Sequence, residues 1–375
     1  MTLTATNFWS CLLGIALGTG YLTSLRIIGP IGLSEILILL VICYLWKRNP
    51  KVSSFSKGGG KNYLKVYLFF STLIVLPLST LFNAIILGSI YSDPIYIISF
   101  SMGILLVYLV QEGMLRKHLD MGIVAFWFSI IFILTNWVTL TYLYVEKSRY
   151  TGGANNPNQL LFYAASLNLL LVMYQKKWSI LLLPLVVYIT LKSKSDAYEL
   201  TLFIIGMTYI YLKFITIKRF SIGLKVLMHT ILICIAFFLI TMYFGTELQE
   251  IWYRADEGDA RVTLMTNAFL ATLHSPLIGF GAGSFSGLFE PFKGLEAHNN
   301  FLDFSMQFGF IFPIILYYYI LKAFVISLQR NEFLLGSFIL GFLVSGLFHF
   351  SGRHFIFWVE LAALMNYSNG KKFFD

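Results

Sequence analysis

Apolar stretches close to 20 residues long recur along almost the whole 375-residue chain. A helix needs about 20 such residues to cross the roughly 30 Å hydrocarbon core of a bilayer, where its backbone polar groups must be hydrogen bonded internally. The stretches lie at 7–25, 31–46, 64–85, 95–112, 122–145, 160–175, 178–192, 197–212, 225–244, 301–322, 333–350 and 355–369. They predict an all-α polytopic membrane protein with about twelve transmembrane helices, organised as one integral membrane domain over residues 1–375.

The composition is typical of this class. The chain is 58% hydrophobic and 12% charged, whereas a soluble domain carries about 25% charged residues. The net charge of +9 is explained by basic loops that orient membrane helices, so we expect no nucleic-acid partner. The cysteines Cys11, Cys43 and Cys234 sit inside apolar runs at unrelated spacings, which argues against a disulfide framework and against a thiolate metal site.

Lysine and arginine are distributed unevenly between the two sets of loops. If the N-terminus is inside, eighteen of the 27 basic residues fall in inner loops and nine fall in outer segments, although the outer segments include the longest loop. Cytoplasmic loops carry the excess of Lys and Arg in membrane proteins. Both termini are therefore predicted to be cytoplasmic, and the one long polar segment, residues 245–303, is predicted to be extracytoplasmic.

The extracytoplasmic loop over residues 245–300 is predicted to be partly helical. A helix can begin near Asp259, and His274-Ser275-Pro276 would end it. The run Gly279-Phe280-Gly281-Ala282-Gly283 follows, but no strand precedes it as a dinucleotide fingerprint would require. We interpret this run as a loop that packs closely or approaches a ligand, with the N–H groups of Gly281 and Gly283 able to meet phosphate oxygens.

Three arginines in the outer segments call for a reason, because membrane topology does not favour basic residues there. They are Arg149, Arg261 and Arg353. Two glycines lie close after Arg149, and a turn at Asn156-Pro157-Asn158 follows that would bring Arg149 back against the membrane surface. The alternatives are that Arg149 anchors at the headgroups and that Arg261 pairs with an acidic neighbour.

His298 precedes the apolar stretch at 301–322, so it is predicted to lie at the mouth of a helix that Asn299 or Asn300 caps. An imidazole, with an unperturbed pKa of about 6.5, is suited to take a proton from a hydroxyl group near neutral pH. Asp303 or Glu296 could orient the ring. The alternative is that His298 is a structural hydrogen-bonding residue.

Two further histidines, His349 and His354, flank Arg353. They could contribute to a metal site, but no acidic or thiol partner has a suitable spacing. We therefore predict neither a metal nor any other cofactor.

The motifs from Arg149 onward resemble those of the O-antigen ligase and polymerase superfamily. They are R-Y-T-G-G-A-N-N-P-N from Arg149, R-V-T-L from Arg261, H-S-P-L-I-G-F-G-A-G-S-F from His274 and A-H-N-N-F-L-D-F-S-M-Q-F-G from Ala297. The resemblance implies a membrane glycosyltransferase of the GT-C type in the bacterial cytoplasmic (inner) membrane. Its donor would be a glycan linked to undecaprenyl pyrophosphate, it would use no metal, and Arg149, Arg261 and His298 would be its catalytic residues.

The chain departs from the family pattern in the turn between the two short stretches at 178–192 and 197–212. Many family members have Ser-Arg-Gly there, and this chain has Ser-Lys-Ser-Asp, with Lys194 in place of the arginine. The role of that position is therefore not carried over.

Three functions follow from these residues. The first is a polymerase that joins lipid-linked repeat units into O-antigen or capsular polysaccharide, by inversion at the anomeric carbon and beneath the 245–303 segment acting as a lid. The second is a ligase that moves the glycan onto lipid A-core or another acceptor. The third is a non-enzymatic transporter or flippase. Expected partners are the lipid-linked donor, a glycan acceptor, membrane lipid and a chain-length regulator; Asn158, Gly281, Gly283, Asn299, Asp303 and Arg353 are the residues expected to bind substrate.

Overall fold

The computed structural model describes residues 4–22, 25–28, 31–48, 81, 94–142, 150–151, 154, 157–174, 178–193, 195–216, 258–284, 286–287 and 294–369. These residues form twelve α-helices and one short antiparallel hairpin, β1 (Arg26–Ile28) with β2 (Ile31–Gly32). The helices are α1 (Ala5–Thr19), α2 (Leu33–Arg48), α3 (Pro94–Leu115), α4 (Met121–Tyr142), α5 (Pro157–Met173), α6 (Ser179–Leu191), α7 (Asp196–Thr216), α8 (Gly258–His274), α9 (Asn300–Phe308), α10 (Ile311–Gln329), α11 (Phe333–Ser345) and α12 (Phe355–Ser368). Apart from the hairpin, the predicted all-helical class is confirmed over the described residues.

Several of these helices have the length and composition of membrane segments. Three are long and apolar enough to span a bilayer, at Tyr96–Leu115, Met121–Val138 and Ile311–Gln329. Four shorter apolar helices lie at Asn158–Met173, Leu181–Leu191, Phe333–Ser345 and Phe355–Ser368. The chain is therefore a helical membrane protein. The stretch predicted at 225–244 lies outside the described residues, as does the stretch at 64–85 apart from residue 81.

The stretch predicted as one span at 301–322 is instead two helices, α9 and α10. Gly309 separates them with a φ of 78°, a backbone conformation that side chains disfavour. A Cβ at Gly309 would lie 2.4 Å from the carbonyl carbon of Leu277, and the next amide, Phe310 N–H, donates to the Pro276 oxygen at 2.8 Å. The loop after α8 thus packs into the break, which an apolar run alone does not reveal.

Helix α12 lies at the centre of the bundle. All of its residues, Phe355–Ser368, are buried. It packs mainly against α3 and α10, and also contacts α5. A hydrophobic core in which aromatic rings meet edge to face continues from it towards α9, as at Phe304 and Phe350 with centroids 5.1 Å apart.

One end of the bundle collects the first turn of α1, the end of α3 and the end of α12. Thr6 Oγ1 donates to the Lys117 oxygen at 3.3 Å, and Asn366 Nδ2 donates to the Gln111 oxygen at 3.4 Å. We call it the basic end, because it holds Lys47, Arg48, Arg116, Lys117, Lys213, Lys322 and Arg330. The start of α1 and the end of α12 therefore lie at the same end of the bundle.

Candidate functional site

The opposite end of the bundle, the site end, holds a cluster of polar side chains. It is built from residue 21 just after α1, the second half of α4, residue 150, the first half of α5, the turn at 294–299, the first turn of α9 and the loop at 346–354 between α11 and α12. The cluster comprises Tyr21, Asn136, Tyr150, Tyr163, Glu296, His298, Asp303, His349, Arg353 and His354. These elements are far apart in sequence, so only the fold brings the side chains together.

His298 has a left-handed backbone, with a φ of 55°. Few residues other than glycine adopt this conformation, and they do so where the surroundings hold them. The buried carboxylate of Asp303 accepts the Ala297 N–H at 2.9 Å and the Asn299 N–H at 3.0 Å. One carboxylate thus fixes the main chain on both sides of His298, so Asp303 positions His298 through the backbone.

Asn299 begins the helix that follows His298. Its side chain accepts the Leu302 N–H at 3.1 Å, as an N-cap residue does. The predicted cap is confirmed, and the substrate-binding role predicted for Asn299 competes with this structural one.

Three hydrogen bonds join Asn300, which directly follows the 294–299 turn, to the 346–354 loop. Asn300 Nδ2 donates to Ser351 Oγ at 2.5 Å, and the Ser351 N–H donates to Asn300 Oδ1 at 2.6 Å. The Asn300 N–H also donates to the Gly346 oxygen at 2.7 Å. The segment that carries His298 and the loop that carries Arg353 are therefore held as one unit.

Arg353 forms an ion pair with Glu296, with 3.1 Å between Nη1 and Oε1. Burial raises the pKa of Glu296, and the neighbouring guanidinium lowers it. Arg353 keeps a buried Nε donor that has no hydrogen-bond partner, and 28% of its side chain is exposed. The charge of Arg353 is thus partly neutralised, and its Nε still has a hydrogen to donate.

Arg149 lies outside the described residues. The next residue, Tyr150, belongs to the cluster, since its hydroxyl donates to the Asn136 main-chain oxygen at 2.8 Å. Asn136 Nδ2 in turn donates to the Tyr21 hydroxyl oxygen at 2.7 Å.

Arg261 lies in the first turn of α8, which ends at His274 as predicted. The side chain of Arg261 lies outside the described part of the structure. Helix α8 packs against α9, where Ala268 meets Ala297 and Met306 in a small apolar cluster. The helix predicted within the loop is therefore confirmed, and it packs next to the turn that carries His298.

The glycine run packs against the end of α9. The N–H groups of Gly281 and Gly283 donate to the main-chain oxygen and to Oε1 of Gln307, at 3.0 Å and 2.9 Å. A Cβ at Gly279 would lie 2.4 Å from the Gln307 carbonyl carbon. These amides already have acceptors, which favours the packing interpretation, while substrate binding at Gly281 and Gly283 stays a prediction.

Asn158 at the start of α5 accepts a hydrogen bond from Ser195 Oγ at 3.1 Å. Ser195 is buried in the turn between α6 and α7. This bond ties the start of α5 to the turn between α6 and α7. Lys194, beside Ser195, lies outside the described residues.

His349 and His354 contact each other through their imidazole rings, but two histidines alone do not make a metal site. Within the described part of the chain, no three His, Cys, Asp or Glu side chains converge as metal ligands. Comparison of the sequence with protein-family models and with curated proteins finds no match.

Some members of the site were not foreseen from the sequence. Tyr21, Asn136 and Tyr163 lie within or beside apolar stretches and carry no local motif. A further polar residue, Glu360, is fully buried in α12, where its Oε2 accepts the Ser166 hydroxyl at 2.8 Å and its Oε1 has no partner. Glu360 could have been predicted as a candidate from the sequence, because a carboxyl group inside an apolar membrane stretch is rare and usually functional.

Proposed function

We propose that this protein is a membrane glycosyltransferase that joins undecaprenyl-pyrophosphate-linked oligosaccharide repeat units into O-antigen or capsular polysaccharide. The observation that carries the proposal is the left-handed His298, held by Asp303 in the same polar cluster as Arg353. Strained non-glycine residues are concentrated at functional sites. The site lies at one end of an apolar helical bundle, where a lipid-linked substrate can enter from the bilayer.

In the proposed reaction, His298 takes the proton of an acceptor hydroxyl group. The hydroxyl oxygen forms a bond to the anomeric carbon of the donor, with inversion, and the bond from that carbon to the pyrophosphate oxygen breaks. The electron pair leaves with the pyrophosphate. Guanidinium groups stabilise this developing charge through charge-assisted hydrogen bonds, a role we assign to Arg149 and Arg261.

Arg353 has a supporting role in this proposal. Glu296 balances much of its charge, and the free Nε can donate one hydrogen bond to substrate. In this proposal the described parts of the 245–303 segment, α8 and the 294–299 turn, cover the reacting sugar and limit the access of competing water. With arginines in place of a divalent ion, the proposed chemistry uses no metal.

Deletion of the gene in its own bacterium tests the function, with the lipid-linked glycans extracted and sized. We expect lipid-linked single repeat units to accumulate on the outer face of the cytoplasmic membrane. Accumulation of long lipid-linked polymer would instead identify the ligase. Repeat units trapped at the cytoplasmic face would identify a transporter, which the buried Glu360 favours as the third candidate.

Complementation with point variants tests the mechanism. Because an alanine has no proton acceptor, His298→Ala should reach the membrane at the wild-type level and restore no polymer. Arg261→Lys should also be impaired, since an ammonium group lacks the bidentate geometry of guanidinium. Full polymer length with either variant would refute the assigned role.

A further inference from the structure

Two histidines in the 346–354 loop are hydrogen bonded to each other. Nε2 of His349 lies 3.1 Å from Nε2 of His354, and the rings stack with centroids 5.3 Å apart. Nδ1 of His354 lies 3.4 Å from the hydroxyl oxygen of Tyr163 on α5. These three buried side chains form a continuous chain, which begins at Nδ1 of His349, a buried atom without a hydrogen-bond partner.

The chain can hold its protons in two orders, because a neutral imidazole has one N–H donor and one acceptor nitrogen. In the first order, His349 Nε2–H donates to His354, and His354 Nδ1–H donates to the Tyr163 oxygen. In the second, the Tyr163 hydroxyl donates to His354 Nδ1, and His354 Nε2–H donates to His349. The second order places an unpaired N–H on the buried Nδ1 of His349, so the first is the resting arrangement.

Charged and titratable groups face this chain from several elements. Arg353 and His298 act electrostatically on His349, and Glu35, Arg353 and Tyr21 act on Tyr163. Burial lowers the pKa of His349 well below its usual range, and His354, Arg353 and His298 lower it further. The imidazole of His349 therefore rests neutral, and it can accept a proton at Nδ1 only as it passes the one on Nε2 to His354.

We propose that His349, His354 and Tyr163 form a proton relay that carries away the proton that His298 takes from the acceptor hydroxyl, an inference that rests on the proposed function. His349 Nδ1 accepts a proton and passes the one on Nε2 to His354. His354 passes its Nδ1 proton to the Tyr163 oxygen, which releases its own proton on the side where Glu35, partly exposed at the start of α2, acts electrostatically on Tyr163. One proton enters and one leaves, and exchange with solvent restores the resting order between turnovers.

Two substitutions break the relay with little change of shape. Tyr163→Phe removes the hydroxyl, and His354→Phe keeps a ring that can stack on Phe162, whose centroid lies 5.8 Å from that of His354. The matched controls are Tyr198→Phe, at a buried tyrosine that accepts Asn168 Nδ2 at 3.2 Å, and His274→Phe, at an exposed histidine that ends α8.

The first measurement is glycosyl transfer by the full-length protein in proteoliposomes, as a function of pH and of added imidazole. Relay variants should lose about 10²-fold in kcat, the scale of a proton-transfer contribution. We expect an unchanged KM for the lipid-linked donor and partial recovery by imidazole, while both controls keep the wild-type rate. A raised KM, a lowered Tm or no response to imidazole would assign these side chains a structural role and overturn the relay.

The second measurement is ¹⁵N NMR of the histidine-labelled protein, which does not depend on activity. We expect scalar coupling between the two Nε2 atoms, and a shift of the His354 Nδ1 resonance in Tyr163→Phe. Uncoupled resonances would refute the shared proton, and resonances that a chelator alters would identify a metal between the rings instead. If the coupling is present but the wild-type protein transfers no glycosyl group, the proposed function fails and with it the use of the chain in transfer.

Discussion

At the scale of single residues, the carboxylate of Asp303 determines the geometry of the turn that carries His298. It does so by accepting two backbone amides, those of Ala297 and Asn299, from within the buried part of α9. A buried backbone N–H that loses its acceptor costs the desolvation free energy of that group. The turn is therefore sensitive to a change of one atom in this side chain.

Asp303→Asn makes that change. The amide group can accept from one of the two N–H groups only, and it turns its own N–H donors towards the other. We expect a loss of about 1–3 kcal/mol in the free energy of unfolding, together with loss of glycosyl transfer. The unfolding of the purified protein in detergent and the length of the polymer in complemented cells measure the two effects.

The matched control is Asp120→Asn at the basic end. Asp120 accepts the Gly122 N–H at 2.8 Å at the start of α4, so this variant also loses a carboxylate cap. It should lose stability and keep transfer. Wild-type transfer by the Asp303 variant would show that the turn does not position a reacting group.

The ion pair of Glu296 and Arg353 gives a second residue-scale prediction. Arg353→Met leaves the buried Glu296 without its counter-charge, so we expect the free energy of unfolding to fall by about 1–3 kcal/mol. Adding Glu296→Gln to that variant should restore part of the loss, because a neutral amide needs no counter-charge. Thermal unfolding of both single variants and the double variant measures the coupling, and strictly additive losses would contradict it.

At the scale of elements, α1 and α4 approach each other closely through two glycines four residues apart. A Cβ at Gly14 would lie 2.5 Å from the Val124 oxygen, and a Cβ at Gly18 would lie 2.7 Å from the Cβ of Ile131. Small residues at this spacing let membrane helices pack backbone to backbone. The hairpin β1–β2 then turns the chain into α2.

Gly18→Ala should force α1 and α4 apart. We expect a destabilisation of about 1–3 kcal/mol, the usual cost of overpacking. Gly206→Ala on α7 is the matched control, because no atom lies within 4 Å of its added Cβ, and it should be neutral or stabilising. Thermal unfolding in detergent compares the two, and equal midpoints would contradict the close helix contact.

The helix boundaries show which features the sequence pattern predicts and which it does not. The end of α8 at His274 and the cap at Asn299 were predicted, because both depend on local residue types. The break at Gly309 was not, because α9 and α10 read as one apolar run and the positive φ depends on the distant Leu277. Helix ends and caps can be predicted from the residues next to them, whereas a break that depends on a contact with a distant segment cannot.

At the scale of the whole molecule, the site is assembled from segments that lie far apart in the sequence. The candidate residues Arg261, His298, Asp303 and Arg353 were predicted from motifs in outer segments. Tyr163 and His354 were not predicted to pair, because 191 residues separate them and neither position carries a pattern of its own. Assembly of such a pair is a property of the bundle.

The orientation of the bundle can be measured directly. In a variant whose native cysteines are replaced, Lys192→Cys places an exposed thiol at the end of α6 near the outer turns, and Arg116→Cys places one at the basic end. A membrane-impermeant thiol reagent added to intact cells should label the first and not the second, since the positive-inside rule puts the basic end in the cytoplasm. The reverse pattern would place His298 in the cytoplasm and overturn the proposed donor.

Helix α12 follows the other eleven described helices in chain order, yet protein surrounds it on every side. During synthesis, α3, α5 and α10 leave the ribosome before α12, the helix against which all three pack. Until α12 arrives, the space that it will fill must be occupied by lipid, or the earlier helices must close over it and reopen. Final assembly of the described helices therefore waits until α12 has been made, and the His354 side of the relay forms only in that step.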